Sequence, residues 1–197
     1  MKLLNRKLFV LALLLGMVQG VWAETTGLWS DNTDATWGSD YSTSENFTIS
    51  TAAELAQFAY LVSIEGYSFE SKTVTLDADI DLSAHYWSPI GGIGEHYFSG
   101  NFDGAGHTIR GMHITNEEYI YTNDLIDDYK GLFGYIYDGA IKNLKITDSW
   151  IYTVSDITGA IVGYAENCII ENCSVDSFED FLFVGCACHV PLFLPQR

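Results

Sequence analysis

Three aspartates alternate with apolar residues in the segment LDADIDL, where they stand at positions 77, 79 and 81. Clustered carboxylates are ligands that Ca²⁺ prefers, so Asp77, Asp79 and Asp81 are candidate calcium ligands. Residues on the same face of a strand lie about 7 Å apart, so one strand alone cannot surround an ion. Neighbouring strands would have to contribute. The alternative is a solvated row of charges that keeps the protein soluble and discourages pairing at a sheet edge.

A histidine and an aspartate lie close together in a glycine-rich segment, at His107 and Asp103. A histidine beside an acid can perform general acid–base catalysis. No third partner accompanies this pair, and the sequence does not single out the two paired carboxylates of a glycosidase among its 26 acidic residues. We therefore expect no catalytic residue, and we expect the protein not to be an enzyme.

Tryptophans supply the remaining candidates for ligand binding. Trp37, Trp87 and Trp150 could stack on sugars or on partner proteins, because an amphipathic ring offers a flat face and a polar group. The alternative is that such rings fill the core. Trp150 is expected on an outward loop. The segment Cys186-Ala-Cys188-His189 lacks the spacing of a zinc site and has no second pair nearby, so we expect no metal there.

The charge balance narrows the function classes. The chain has 197 residues with 26 acidic and 9 basic side chains, and its formal net charge is −17. Electrostatic binding of nucleic acid or of anionic lipid uses Lys and Arg to neutralise phosphates, so the acidic balance argues against both partners. Hydrophobic residues make up 48% of the chain, which favours a folded core over disorder.

The amino terminus has the pattern of a signal peptide over residues 1–23. Three basic residues precede an apolar run over 8–18, and small residues at Val21 and Ala23 form a cleavage site. The run is too short to span a bilayer, which needs about 20 apolar residues. No later segment qualifies as a transmembrane helix. We therefore expect a secreted or cell-surface protein that is cleaved near Ala23.

The mature chain is expected to begin with a polar and aromatic lead-in over 24–50, which contains at most one short strand. Thr51 and Glu54 then form a capping box, and apolar residues at helical spacing predict one helix over 52–64. From residue 72 apolar residues recur at every second position. This alternation predicts a single strand that carries the three aspartates on its outer face.

A repeat follows the glycine-rich segment. Residues 132–146 and 161–175 align at an offset of 29, which matches Gly134 with Gly163 and Asn143 with Asn172. At an offset of 32, Ile109 falls on Ile141 and adds a partial third copy. Stacked turns of this kind bury a common apolar column and pair their backbones. We predict an all-β fold, a parallel β-helix over 51–177 that starts with the helix. The acidic segment 115–129 is expected to be a loop inserted between coils.

The segments Gly131–Gly134 and Gly159–Gly163 are each followed by an I-x-N-[LC]-x-[IV] strand. They resemble the GLUG motif of secreted and surface proteins from Bacteroides-like bacteria. The resemblance covers about residues 50–175 and implies a right-handed β-helix used in adhesion or as a spacer. It also implies that the helix caps the first coil, and that Asp103 and His107 are structural turn residues. Some related architectures accompany carbohydrate-active or peptidase domains, which nothing here matches.

The pattern ends after about residue 177. Residues 178–197 show neither repeat nor alternation, and no residue of 181–196 is charged. Three interpretations stay open for this tail: a truncated or frame-shifted gene product, a hydrophobic cap on the last coil, and a partner-binding segment. The four cysteines allow three disulfide connectivities, and the candidates are Cys168, Cys173, Cys186 and Cys188. Cys173 aligns with the inward Leu144, which favours a buried thiol at that position.

These observations predict an exported, non-enzymatic repeat module. We expect an adhesin-like or scaffold role, in which loops such as 115–129 bind an unidentified host protein or a polysaccharide. The alternatives are a carbohydrate-active enzyme or glycan-binding subunit on the same scaffold, and a gene fragment without function. We expect no cofactor apart from the weak calcium candidate.

Overall fold

The structure is a computed structural model that describes residues 26–115, 129–153 and 157–180. The predicted signal peptide, most of the 115–129 loop, and the tail beyond residue 180 lie outside these ranges.

The described residues form one α-helix, one short 3₁₀ helix and fourteen strands. The 3₁₀ helix spans Trp29–Asp31, and helix α1 spans Ala52–Ser63. The strands are β1 (Asn46–Ile49), β2 (Thr73–Leu76), β3 (Ile80–Asp81), β4 (Asn101–Asp103), β5 (Thr108–Arg110), β6 (His113–Thr115), β7 (Tyr129–Lys130), β8 (Phe133–Tyr137), β9 (Ala140–Lys142), β10 (Lys145–Tyr152), β11 (Ile157–Thr158), β12 (Val162–Glu166), β13 (Ile169–Glu171) and β14 (Ser174–Asp180). The predicted all-β class with one helix is confirmed.

The strands stack as a parallel β-solenoid of about four turns. One sheet has the order β1-β2-β4-β9-β13, and the second has the order β3-β5-β10-β14 with β6 also paired to β10. Two shorter ladders, β7-β11 and β8-β12, complete the later turns. Every pairing between these strands is parallel, because each turn of chain returns to the same face one level further on.

The core is a column of apolar side chains inside the solenoid. In the first sheet Phe47, Val74, Phe102 and Ile141 lie in register, one above the other, and all are buried. Burial of each such side chain contributes about 1.5–3 kcal/mol relative to exposure. The next residue in this row, Ile170, is 39% exposed, because it belongs to the last described turn.

Helix α1 connects β1 to β2 and covers the amino-terminal end of this column. Its capping box is present: Thr51 accepts a hydrogen bond from the backbone N–H of Glu54, whose carboxylate accepts one from the N–H of Thr51. The Phe58 ring reaches into the column and contacts the rings of Phe98 and Phe102. The predicted helix is confirmed to within one residue at its end, and its position agrees with the capping role that the resemblance implied.

The prediction of one continuous strand through LDADIDL is wrong. The chain forms β2, turns at 77–79, and continues as β3. Leu76, Ile80 and Leu82 are nevertheless all buried. A solenoid corner can keep the alternation of inward and outward side chains while it changes the direction of the strand, so the sequence pattern did not reveal the corner.

The repeat at an offset of 29 is confirmed, since Ile170 pairs with Ile141 and Val175 pairs with Ile146. The offset of 32 is wrong, because Ile109 pairs with Ile146 and not with Ile141. The turn of chain that contains β4 to β8 is longer than the next one. Its corner between β4 and β5 takes residues 104–107, whereas the corner between β9 and β10 takes only 143–144.

Two predicted boundaries also change. Strand β1 already pairs with β2, so the sheet begins inside the predicted lead-in. Strand β14 continues to residue 180, three residues beyond the predicted end of the repeat. The 115–129 segment, which we expected to be a loop between coils, joins β6 to β7 in the chain and lies almost entirely outside the described residues. Among the described residues there is no helix with the length and hydropathy to cross a bilayer.

Candidate functional site

The three candidate calcium ligands do not converge. The Oδ1 of Asp79 accepts a hydrogen bond of 2.9 Å from the backbone N–H of Thr108 and lies 3.2 Å from Nδ1 of His107. The Thr108 hydrogen bond, followed by that of His107, lowers the pKa of Asp79. Asp79 therefore ties one turn of the solenoid to the next.

Asp81 has different partners, one on the neighbouring strand and one two residues further along its own segment. Its carboxylate lies 2.7 Å from the guanidinium of Arg110 and accepts a hydrogen bond of 3.0 Å from the N–H of Ser83. Burial raises the pKa of Asp81, but the Ser83 hydrogen bonds and Arg110 outweigh it, so the pKa is lowered. Asp77 is exposed. Within the described ranges no group of three or more His, Cys, Asp or Glu residues is arranged to hold a metal ion.

Asp103 does not pair with His107, so the acid–base pair that the sequence analysis considered is not formed. Instead Oδ1 of Asp103 accepts hydrogen bonds from the N–H of Ala105 at 2.8 Å and from Nδ2 of Asn143 at 2.9 Å. Oδ1 of Asn143 in turn accepts a hydrogen bond of 2.7 Å from Nδ2 of Asn172. These three side chains form a ladder along one corner of the solenoid, which we call the corner ladder. Asp103 is thus a structural residue, as the resemblance implied.

Two of the three candidate tryptophans are not placed as expected. Trp87 is 1% exposed, and its Nε1 donates a hydrogen bond to the carbonyl of Leu132, so it belongs to the core and has no face for a ligand. Trp150 lies within β10 and not on a loop. Its ring stacks on His113 with centroids 4.8 Å apart, and the edge of Tyr86 lies 6.1 Å away.

Trp37 does lie at a cavity. It is part-exposed and its Nε1 donates a hydrogen bond of 2.7 Å to the carbonyl of Thr48. Its ring contacts Phe47 and Phe58 on the core side, with centroids 5.6 and 5.7 Å away. Of the three tryptophans named from the sequence, Trp37 is therefore the one placed beside a cavity, and its binding of a ligand stays a prediction.

Glycines within β8 and β12 let successive turns approach closely. A Cβ on Gly134 would overlap the carbonyl oxygen of Gly91, and a Cβ on Gly163 would lie 2.8 Å from the backbone nitrogen of Lys130. Only glycine has no side chain to obstruct this approach. The glycines therefore hold β8 and β12 in register, with Tyr164 directly above Tyr135.

This register creates a surface of tyrosines, which we call the tyrosine surface. Its members are all partly exposed, and each ring contacts at least one other ring of the set. They are Tyr97, Tyr129, Tyr135, Tyr137 and Tyr164.

Neighbouring rings of the tyrosine surface have centroids 5.1 to 5.7 Å apart, and Tyr129 stacks on Tyr164 at 19°. Partial burial raises the pKa of Tyr135, and the nearby carboxylate of Glu166 raises it further. The phenol of Tyr135 is therefore neutral at physiological pH. The surface combines flat apolar rings with phenol hydroxyl groups and an acidic border.

The cysteines described by the structure are thiols. No disulfide joins Cys168 and Cys173. Burial raises the pKa of Cys173, whose Sγ lies 3.3 Å from the carbonyl oxygen of Glu171. The predicted inward thiol is confirmed, although it is half-buried because it belongs to the last described turn. Cys186 and Cys188 lie outside the described residues.

Comparison with known families fits this architecture. Residues 157–177 match the GLUG motif. The matched segment contains β11, β12, β13 and the first part of β14, so one GLUG motif corresponds to about one turn of the solenoid. Strands β7, β8, β9 and β10 pair with these four strands, which gives the preceding turn the same structure. No curated protein and no solved structure matched the chain.

The sequence analysis missed the tyrosine surface. Its signal was present in the repeat, where glycine is followed by tyrosine at Gly134-Tyr135 and again at Gly163-Tyr164. That these tyrosines lie one above the other follows only when the offset of 29 residues is known to equal one turn of the solenoid. Tyr97 and Tyr129 lie outside the aligned repeat segments, so no sequence pattern joined them to the surface.

Proposed function

We propose that this chain is an exported, non-enzymatic, adhesin-like module that binds a neutral polysaccharide through the tyrosine surface. The observation that carries the proposal is the contact row of part-exposed tyrosines across neighbouring turns. Aromatic rings stack on the apolar faces of sugar rings, and the phenol hydroxyl groups add hydrogen bonds at the edges. The GLUG motif and the β-solenoid support a repeat module of an extracellular type.

The rigidity of the scaffold supports this function. Tyr135 and Tyr164 project from paired strands of adjacent turns, and the close approach of Gly163 to Lys130 and Gly134 fixes their separation. The rings are therefore ordered before a ligand arrives, which reduces the entropy lost on binding. A row of rings along stacked turns suits an extended chain of sugars, because successive residues of a polysaccharide meet successive rings.

The charge of the protein supports a neutral ligand over an anionic one. The formal net charge is −17, and exposed Glu95, Asp138 and Glu166 lie in the strands and turns around the tyrosines. Acidic polysaccharides would be repelled by such a surface at ordinary ionic strength. Neutral glucans, mannans, xylans and galactans would not.

The test uses residues 24–197 and a panel of insoluble and soluble neutral polysaccharides, with bound protein measured after sedimentation or by affinity electrophoresis. Wild-type protein should bind at least one neutral polysaccharide. Tyr135→Ala and Tyr164→Ala should each weaken binding by roughly twofold to twelvefold, since one aromatic contact contributes about 0.5–1.5 kcal/mol. Tyr152→Ala is the matched control, because Tyr152 is 43% exposed but lies on β10.

Three results would argue against the proposal. The first is the absence of binding to every neutral polysaccharide, and the second is equal loss of binding in the Tyr152 control. The third is release of reducing sugar during the incubation, which would indicate an enzyme. Circular dichroism of each variant separates loss of the surface from loss of the fold.

A further inference from the structure

A second candidate site lies at the amino-terminal end of the solenoid, apart from the tyrosine surface. It is an open cavity of about 220 Å³ between the 34–44 segment and helix α1. Its lining combines aromatic rings, small residues and polar groups: Ala35, Trp37, Gly38, Ser39, Tyr41, Ser42, Gln57, Leu61 and Tyr67. Exposed Ser39 and Ser42 stand at its mouth.

The aromatic walls of this end cavity are held in place. The indole of Trp37 is fixed by its hydrogen bond to the Thr48 carbonyl. Tyr41 and Tyr67 stack with centroids 4.2 Å apart and an angle of 19°. The walls therefore present ring faces that do not need to reorganise when a flat ligand enters.

The segment that forms the rim is also braced. Asp34 accepts hydrogen bonds from the N–H and the hydroxyl of Thr36 at 3.0 and 2.7 Å, and Asp40 accepts one from the hydroxyl of Ser44. Gly38 has a φ of +73°, and a Cβ there would lie 2.6 Å from Leu61. Only glycine meets both requirements without strain.

Gln57 is the unusual residue of the cavity. It lies on α1 and is 6% exposed, yet within the described part of the chain its side-chain amide makes no hydrogen bond. The large majority of buried side-chain polar groups in proteins have a partner, and leaving one unpaired is destabilising. A donor and an acceptor thus border the empty space, and a ligand with hydroxyl groups would satisfy both.

The surrounding charges select the ligand. The ammonium group of Lys72 lies 4.7 Å from the centroid of Tyr41, so a cation at this ring would meet a like charge. The net charge of −17 opposes an anion. The volume is below the roughly 300–1,000 Å³ of sites for drug-sized ligands. We propose that the end cavity binds a single neutral sugar ring, stacked on Trp37 and hydrogen-bonded to Gln57.

The test follows the indole N–H resonance of Trp37 in ¹⁵N-labelled residues 24–197, assigned by its loss in Trp37→Phe. Glucose, galactose, mannose, xylose and N-acetylglucosamine are titrated separately to about 50 mM, which detects dissociation constants in the millimolar range. At least one sugar should shift the resonance and saturate. Gln57→Met, which keeps the size and the helix propensity, should weaken that binding about tenfold, the effect of losing hydrogen bonds of net 1.4 kcal/mol.

The same variant distinguishes a binding role from a structural one. Because Gln57→Met removes an unpaired buried amide, its melting temperature should equal or exceed that of the wild type. Tyr60→Phe, on the outer side of the same helix, should leave both binding and stability unchanged. Tyr135→Ala should leave the Trp37 shift unchanged. Failure of the tyrosine surface to bind polysaccharide would therefore not affect the result for the end cavity, and the reverse also holds.

Three results would overturn the inference. The first is that no sugar shifts the Trp37 resonance, which would mean that solvent alone satisfies Gln57. The second is that Gln57→Met binds the sugar as tightly as the wild type. The third is a clear fall in the melting temperature of Gln57→Met, which would show that the Gln57 side chain stabilises the fold.

Discussion

The corner ladder provides a quantitative test of how the turns are held together. In Asn143→Ala the carboxylate of Asp103 loses its hydrogen bond from Nδ2, and the amide of Asn172 loses its acceptor. The first bond involves a charged acceptor and is part-buried, so its loss costs about 1.5 kcal/mol, and the exposed second bond adds about 0.5 kcal/mol. Asn143 also has a φ of +54°. Alanine in that left-handed conformation costs about 1 kcal/mol more.

The expected decrease in the free energy of unfolding is therefore about 3 kcal/mol for Asn143→Ala. Urea unfolding, followed by circular dichroism and tryptophan fluorescence, measures it. Asn143→Gly is the matched variant, because glycine removes the ladder without the conformational cost, and its decrease should be about 1 kcal/mol smaller. A change within about 0.5 kcal/mol of wild type for Asn143→Ala would refute the role of the ladder, since ordinary surface substitutions fall in that range. Equal effects of Ala and Gly would refute the conformational part.

Three further predictions follow from other parts of the molecule. Gly134→Ala should destabilise the fold by about 3 kcal/mol, because its Cβ overlaps a backbone oxygen that cannot move aside, whereas Gly106→Ala, with open space around it, should cost only about 1 kcal/mol in the same urea assay. Burial lowers the pKa of His113, so the unfolded chain takes up the proton more readily and stability should fall as the pH drops below about 6.5. His113→Phe should reduce this loss between pH 7.5 and 5.5, and an unchanged pH dependence would contradict it. When the full chain is expressed in a bacterium with an export pathway, amino-terminal sequencing of the exported protein should begin at Glu24, and an intact Met1 would contradict the predicted signal peptide.

Local sequence signals predicted local structure well. The capping box at Thr51 specifies the start of α1 from side-chain chemistry within one turn, so it needed no information from the rest of the fold. The repeat at an offset of 29 predicted the register of Ile141 with Ile170 because these two turns contain nearly the same number of residues. The solenoid could be inferred from these two features together.

Predictions that depended on which residues of adjacent turns lie side by side were wrong. Ile109 was aligned with Ile141 because both begin an apolar triplet, but Ile141 pairs with Phe102 of β4, and Ile109 belongs to the following strand, which pairs with β10. The acid that the sequence analysis considered beside His107 was Asp103, its neighbour in sequence. Its partner is Asp79 of the preceding turn, because stacking brings residues of adjacent coils closer than residues around one corner.

The candidate sites were the least predictable features. The tyrosine surface combines residues of three segments, and the importance of Gln57 follows from its burial without a partner. Neither property is encoded in a residue type or a spacing. Trp37 borders a cavity, so its role as a ligand candidate stays a prediction, whereas Trp87, with the same chemistry, is part of the core. Burial distinguishes them, and burial depends on the whole fold.

The most direct test of the central claim is calorimetric titration of residues 24–197 with neutral oligosaccharides of increasing length, taken from the polysaccharide that binds. If the tyrosine surface binds an extended chain, affinity should rise with each added sugar until the ligand spans the row from Tyr137 through Tyr97 and Tyr135 to Tyr164, and then stay constant. The double variant Tyr135→Ala, Tyr164→Ala should abolish the rise. An affinity that is the same for one sugar as for six, or a rise that persists in the double variant, would contradict the account.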